Sequence, residues 1–235
     1  MTDYPTCVDC SQMNCLINKH CSSKWKLLID KEKSSGIYKG GQIIFNKNNI
    51  VFGIYFIYRG KVKVFDTGRN NKNHIIRLAS AGEIIGLRGY AEKNYRVSGS
   101  ALEDTTLCFI EKSLFFKVLR ENPELSINLI HFYAQELTNM EVRQKYYQQL
   151  NSMERIAETL LLIKAKYGVT VANGTLLDVN LSRQDIADLG KTSVEETIRT
   201  LSKFKKQQFI VENEQNKRII ILNHAKLMEM AAGAN

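Results

Sequence analysis

Apolar and polar residues follow two different periods along this chain. Over residues 36–109 the apolar positions fall in short runs, YKGGQIIF, GIYFIYRGKVKVF, HIIRLASAGEIIG and ALEDTTLCFI, divided by the turn-forming stretches NKNN, TGRNNKN and AEKN. Runs rich in β-branched and aromatic residues between such turns predict strands of an antiparallel β-barrel or roll. The only two prolines, Pro5 and Pro123, lie outside these runs and leave the strands uninterrupted.

After Glu111 the period lengthens. Ile127, Ile130, Ala134, Leu137 and Met140 recur at alternating spacings of three and four, which lines them along one face of a helix. Polar residues at 148–152 predict a break, with a second helix from about Met153. An apolar seam on a long helix either pairs with a copy of itself, as in a coiled coil, or packs on the roll. Ile130, Leu137 and Met140 are the candidate dimerisation residues.

The most informative stretch is LSRQDIADLGKTSVEETIRTLSKFKKQQFIVENEQNKRIIILN. Ser182 with Asp185 reads as a capped helix start, Gly190-Lys191 as a tight turn, and Thr192 or Ser193 as the cap of a second helix. On that second helix Val194, Thr197, Leu201 and Phe204 share one face, and Glu195, Arg199, Ser202 and Lys206 share the other. The polar face is either an ordinary solvated surface or one that reads DNA. In the second case Glu195, four residues before Arg199, would hold the guanidinium so that it presents paired donors to guanine, and Glu195 itself could accept from cytosine. FIVE and RIIIL, divided by NEQNK, then form a two-stranded wing whose Lys217 and Arg218 would meet phosphates.

Composition narrows the classes. With 235 residues and 44% hydrophobic content the chain can bury a core without disulfides. It carries neither an apolar run of about 20 residues that would span a bilayer nor a secretory pattern, so a cytoplasmic location is expected. A formal charge of +9 favours an anionic partner, nucleic acid first and anionic lipid second, although most basic residues would be solvated surface. The four histidines are scattered, and no catalytic constellation emerges, so an enzyme is not expected.

Cysteine usage is lopsided. Cys7, Cys10, Cys15 and Cys21 open the chain, and Cys108 follows alone. In a reducing compartment, clustered thiols point to metal ligands or redox groups. Thiolates suit both iron-sulfur and zinc chemistry. Three readings stand: a cluster, a front zinc site from Cys7, Cys10, Cys15 and Cys21, or free and redox-active thiols. Cys108 by itself would be a buried strand cysteine.

YKGGQIIF and IYFIYRGKVKV, the long helix, ERIA at residues 154–157 and SRQDIADLGKTSVEETIRTLSKFKK together resemble the CRP/FNR family of bacterial transcription regulators over almost the whole chain. The resemblance implies an α+β fold: a cysteine-rich arm at 1–22, a cyclic-nucleotide-binding-like antiparallel β-roll at 23–120, a dimerisation helix at 121–150 and a winged helix-turn-helix at 151–235. It implies double-stranded DNA and a second copy of the chain as partners, with RNA polymerase if the protein activates. Base-reading roles fall on Glu195 and Arg199, and the wider DNA-binding set comprises Ser193, Ile198, Ser202 and Lys206. Similarity to the oxygen-sensing FNR branch implies a 4Fe-4S cluster on Cys7, Cys10, Cys15 and Cys108, responding to oxygen, nitric oxide or redox state. The Cys-x2-Cys-x4-Cys spacing is one residue short of that branch's second gap, and Cys21 offers a substitute third ligand, with zinc as the alternative metal.

Three departures from the family pattern matter. Lys191 stands where many members have a turn glycine. Ile198 stands where the FNR branch has a serine facing DNA, and is either core or an apolar contact to a thymine methyl. In GEIIGLRGYAEKNYRVSGSA, Leu87 replaces the ribose-binding glutamate and no Arg-Ser pair follows, although Arg96 and Ser98 are near, which argues against cyclic AMP. The remaining alternative is the same regulator with a small-molecule or cyclic-nucleotide effector in the roll and only structural or free cysteines.

Overall fold

The computed structural model describes residues 6–68, 73–87, 92–213 and 215–232. The expected turns at 69–72 and 88–91, Glu214 of the wing turn and Pro5 lie outside the described residues. The chain divides into two compact units, Met1–Asn139 and Met140–Asn235.

The first unit begins with two helices, α1 (Leu16–His20) and α2 (Ser23–Glu32). Eight strands follow: β1 (Ser34–Tyr38), β2 (Ile43–Phe45), β3 (Gly53–Arg59), β4 (Lys61–Thr67), β5 (Asn73–Ser80), β6 (Ile84–Ile85), β7 (Ser98–Ala101) and β8 (Thr105–Glu111). They make two antiparallel sheets, ordered β1-β8-β3-β6 and β2-β7-β4-β5. The sequence predicted the strand-rich region, but its runs split at internal turns. GIYFIYRGKVKVF is a hairpin that reverses at Gly60, where φ is +103° and an added Cβ would lie 2.4 Å from the Thr105 hydroxyl.

Strand periodicity sorts the roll into two apolar clusters. Ile57, Val62, Val64, Ile85, Tyr95 and Leu107 belong to the interior, where the Phe45 and Tyr95 rings stack at 4.6 Å. Ile54, Phe56 and Ile110, with Cys108 beside them, belong to the opposite face of β3 and β8. That face is covered by Ile17, Cys21, Trp25 and Ile29 from α1 and α2 and by Leu114, Phe115 and Val118 of α3 (Lys112–Glu121). The two N-terminal helices went unpredicted because the cysteines and charges of residues 7–33 mask a short apolar repeat at Ile17, Cys21, Trp25 and Ile29. Its spacing of four is helical and was available in the sequence.

Helix α4 (Pro123–Gln149) is the predicted long helix, and α5 (Ser152–Tyr167) starts after the predicted break with a capping box between Asn151 and Glu154. Leu125 and Leu129 of α4 are buried in the first unit, whereas Ile130 is 65% and Leu137 56% exposed. The expected seam therefore does not pack on the roll of its own chain.

The second unit adds β9 (Gly168–Val171), β10 (Gly174–Leu177), α6 (Arg183–Gly190), α7 (Val194–Lys206), β11 (Ile210–Glu212), β12 (Ile219–Ile221) and α8 (His224–Ala231). The wing is a four-stranded sheet ordered β11-β12-β10-β9 rather than a two-stranded hairpin. Its extra hairpin and α8 were missed, since GVTV and GTLL are too short to stand out by pattern. Among the described residues no helix is long and apolar enough to cross a membrane.

Asn122, at the end of α3, is buried and ties the arm to the helices: its side chain donates to the Val118 carbonyl at 2.8 Å and accepts from the Ser22 amide at 3.1 Å. Replacing it with Ala leaves both groups without that partner, and thermal or urea unfolding should register a loss of about 1–3 kcal/mol. An unchanged midpoint would mean that this junction contributes nothing.

Candidate nucleic-acid interface and thiol pocket

Helix α6 opens on Ser182, whose hydroxyl accepts from the Asp185 amide while the Asp185 carboxylate accepts from the Ser182 amide, the predicted capping box. It closes on Lys191 in the left-handed region (φ 51°, ψ 47°), so the turn keeps the geometry that glycine adopts freely at a cost of about 1–2 kcal/mol for a residue with a Cβ. The Lys191 ammonium lies 5.7 Å from the centre of the Tyr147 ring, and its carbonyl accepts from Arg155 at 3.3 Å. Ser193 then caps α7, accepting from the Glu196 amide at 3.1 Å.

The two faces of α7 separate largely as predicted. Thr197, Leu201 and Phe204 are buried, joined by Thr200, which the sequence reading left out, whereas Val194 is only half-buried. Ser193, Glu195, Arg199, Ser202 and Lys206 are exposed. Ile198 is 48% exposed and stands with the polar face, because its angular position lies past the edge of the buried stripe. Arg199 pairs with Glu196, one helical turn back at 3.4 Å, a contact the sequence did not single out. Spacings of three and four are both in reach on a helix, so Glu196 and Glu195 are each placed to meet the guanidinium. In the wing, Lys217 is exposed while Arg218 is engaged by Asp178.

Cys7, Cys10, Cys15 and Cys108 line one pocket, together with Gln12, Ile17, Lys33, Phe56, Tyr58 and Ile110. Cys21 is not among its lining residues; it is 8% exposed and packs with Ile17, Trp25 and Ile29. Cys108 reaches the pocket because it lies on the outer face of β8, opposite Ser35 of β1, whose hydroxyl is 3.8 Å from the Cys108 sulfur. Residues 7–15 are fastened at several points. Asp30 accepts from the Cys7 amide at 2.5 Å and the Val8 amide at 3.3 Å; Asn18 donates to the carbonyls of Cys10 and Gln12 at 3.0 and 3.2 Å. Gln12 donates to the Tyr58 carbonyl at 3.2 Å, and Gly82 (φ +90°) lets Asn14 approach where a Cβ would come within 2.6 Å.

Burial raises the thiol pKa of Cys7, Cys15 and Cys108, and raises that of Cys21 to about 12. The Lys33 charge opposes the effect at Cys7 and Cys108. Buried thiols stay protonated and unreactive unless a cation replaces the proton. Among the described residues no group of three or more His, Cys, Asp or Glu side chains forms a ready site for a metal ion. The cavity of this pocket is about 20 Å³, room for about one water molecule. The donor set of four soft sulfurs in an apolar setting fits an iron-sulfur cluster; the front quartet with Cys21 is not gathered in this pocket.

The cyclic nucleotide-binding domain model matches residues 37–122 and the Crp-like helix-turn-helix domain model matches residues 154–230. The two follow the order of the roll and the winged helix and jointly take in more than half of the chain. The chain belongs to the CRP/FNR family. It is a DNA-binding transcription regulator of that type. Relatives include the transcriptional activator protein Anr of Pseudomonas protegens, 22% identical over 83% of this chain and 80% of Anr. The fumarate and nitrate reduction regulatory protein of Vibrio cholerae is 23% identical over 96% of this chain and 90% of its own length. Among solved structures, FixK2 from Bradyrhizobium japonicum has the same fold, with a TM-score of 0.74 at 21% identity over 86% of this chain and 99% of FixK2.

Leu87, which stands where the resemblance would set a glutamate, is buried in the apolar cluster with Ile54, Phe56 and Ile84. Residues 88–91 of that segment lie outside the described residues. What the sequence reading missed entirely is the Asp30–Lys33 pair beside the thiols; its spacing of three on α2 was visible, but not that it borders Cys7 and Cys108.

If Arg199 reads a base edge, Arg199→Ala will cost about 1–3 kcal/mol at the specific site and relax preference at one base pair. Lys206→Ala, by contrast, will weaken all sequences alike and lower the salt slope by roughly 1. Equal losses on specific and random DNA for the Arg199 variant would place it among phosphate contacts.

Proposed function

We propose that this regulator works as a homodimer on a palindromic operator and couples its DNA affinity to the state of a 4Fe-4S cluster held by Cys7, Cys10, Cys15 and Cys108, so that oxygen, nitric oxide or redox state is the signal. The observation that carries the reading is the gathering of these four cysteines, and not Cys21, at one pocket. The resemblance to the FNR branch supports it, as does the family membership with Anr and the fumarate and nitrate reduction regulator. RNA polymerase would be the further partner if the protein activates transcription.

The cluster, when bound, would supply chemistry sensitive to oxygen and nitric oxide. The chain's own residues carry the rest. Residues 7–15 are pinned to α2 by Asp30, and α1 and α2 bury Ile17, Trp25 and Ile29 against Leu114, Phe115, Leu125 and Leu129 at the base of α4. A change in the position of residues 7–15 thus bears on the helix that carries the exposed seam Ile127, Ile130, Leu137 and Met140. The coupling equals the difference in how well the four thiolates hold their ligand in the DNA-competent dimer and in the alternative state. Two recognition helices in such a dimer require half-sites about 34 Å apart.

Two measurements test this. Replacing Leu137 with Glu sets a charge against its symmetry mate and should shift sedimentation toward monomer; an unchanged dimer rules the seam out. Under anaerobic conditions Cys108→Ser should lose iron and operator affinity while Cys21→Ser keeps both. The reverse pattern would favour a compact N-terminal zinc-type site, and iron binding with operator affinity indifferent to air would leave a cluster without a sensing role.

A further inference from the structure

The thiol pocket is lined by a buried cation. Lys33 follows α2 and leads directly into β1, the strand that pairs with Cys108, and its side chain is only 6% exposed. Among the described residues lining the pocket it is the one that carries a charge. Its ammonium is 3.6 Å from Asp30, the same carboxylate that accepts from the Cys7 and Val8 amides. Lys33 is therefore held by the anchor of the cysteine-bearing loop and lines the same pocket as Cys7 and Cys108.

An ammonium is costly to bury unless negative charge faces it, and a group held by four thiolates is net anionic. In an apolar pocket each charge improves the setting of the other far more than it would in water. We propose that Lys33 is the counter-charge of the thiol site, a positioning residue whose ammonium stabilises the anionic, thiolate-held group and favours its more reduced state. This rests on the reading of Cys7, Cys10, Cys15 and Cys108 as cluster ligands. The sign is fixed by electrostatics: adding an electron makes the group more negative, so a nearby positive charge stabilises the reduced form more than the oxidised one. Without Lys33 the group is harder to reduce.

The test uses the full chain purified anaerobically as wild type, Lys33→Met, Lys33→Gln and Lys33→Arg, with iron, acid-labile sulfide and circular dichroism measured on each. The midpoint potential is then read from the visible spectrum in a dye-mediated titration, in which one electron passes from the electrode to the bound group with no bond made and no proton moved. Lys33→Met is expected to retain iron while its one-electron equilibrium constant for reduction falls about tenfold, a shift of about 59 mV to more negative potential. Lys33→Arg should restore the wild-type value. Should Lys33→Met fail to fold, Lys33→Gln makes the same comparison. A neutral variant with wild-type potential overturns the role of Lys33 and leaves the cluster reading standing. Loss of iron from the neutral variants and from Lys33→Arg alike assigns Lys33 to packing and overturns its role as counter-charge. Loss from the neutral variants alone supports that role. Wild-type protein without iron and sulfide overturns the cluster reading, and the counter-charge role with it.

Discussion

The first unit depends on one burial problem. A β-roll has an inside and an outside, and the outer face of β3 and β8 carries Ile54, Phe56 and Ile110, which water would meet if nothing covered them. Removing such side chains from water is worth roughly 1.5–3 kcal/mol each, against about 0.5–1.5 kcal/mol for a typical neutral hydrogen bond. The covering is supplied by α1 and α2 from one end of the roll and by α3 and the start of α4 from the other. Cys108 lies on that same face, so the cover that buries the apolar residues is also what delivers Cys7, Cys10 and Cys15 to it.

Polar groups refine what the apolar cover begins. Arg77 of β5 lies 5.0 Å from the centre of the Phe132 ring, donates to the Ile84 carbonyl at 2.9 Å and approaches Glu136 of α4 at 3.3 Å. A guanidinium can serve a carbonyl, a carboxylate and an aromatic face at once because its donors lie in one plane and its faces are weakly hydrated. The first turns of α4 are thereby fixed to the roll by charge as well as by Leu125 and Leu129. Asn122 and Asp30 act similarly for the arm, each satisfying backbone groups that would otherwise be stranded in a partly buried junction.

In the second unit the recognition helix is positioned from beneath. Thr197, Thr200, Leu201 and Phe204 anchor it, and the wing and α6 are drawn to it by charged contacts in which Glu212 of β11 accepts from Arg183 of α6 and, at 2.7 Å, from Lys205 of α7. Such contacts are partly exposed, so they fix geometry more than they add stability. The exposed face is left with Glu195, Ile198, Arg199, Ser202 and Lys206, an arrangement of short and long polar groups around one aliphatic side chain.

The sequence by itself determined the order of the roll, the long helix and the helix-turn-helix, though not the short elements α1, α2, β9, β10 and α8, because periodicity is a local property that needs length to show. Strand-like runs before Glu111, a long seam through Leu137, the polar break at 148–152, the capping signals at Ser182 and Ser193 and the two faces of α7 were all legible within windows of a few residues. What it could not determine were contacts between residues distant along the chain or alternatives of equal reach. The contact of Arg199 with Glu196 depends on side-chain orientation, and the exposure of Ile198 depends on how widely the neighbouring helices cover α7. The separation of Cys21 from the other cysteines depends on helical rotation: α1 turns Ile17 inward and brings Cys21 into the Trp25 and Ile29 stripe, while residues 7–15 loop back over Cys108. Only tertiary packing could bring Lys33 to the pocket of Cys7 and Cys108, because the first gap spans two helices and the second most of the β-roll.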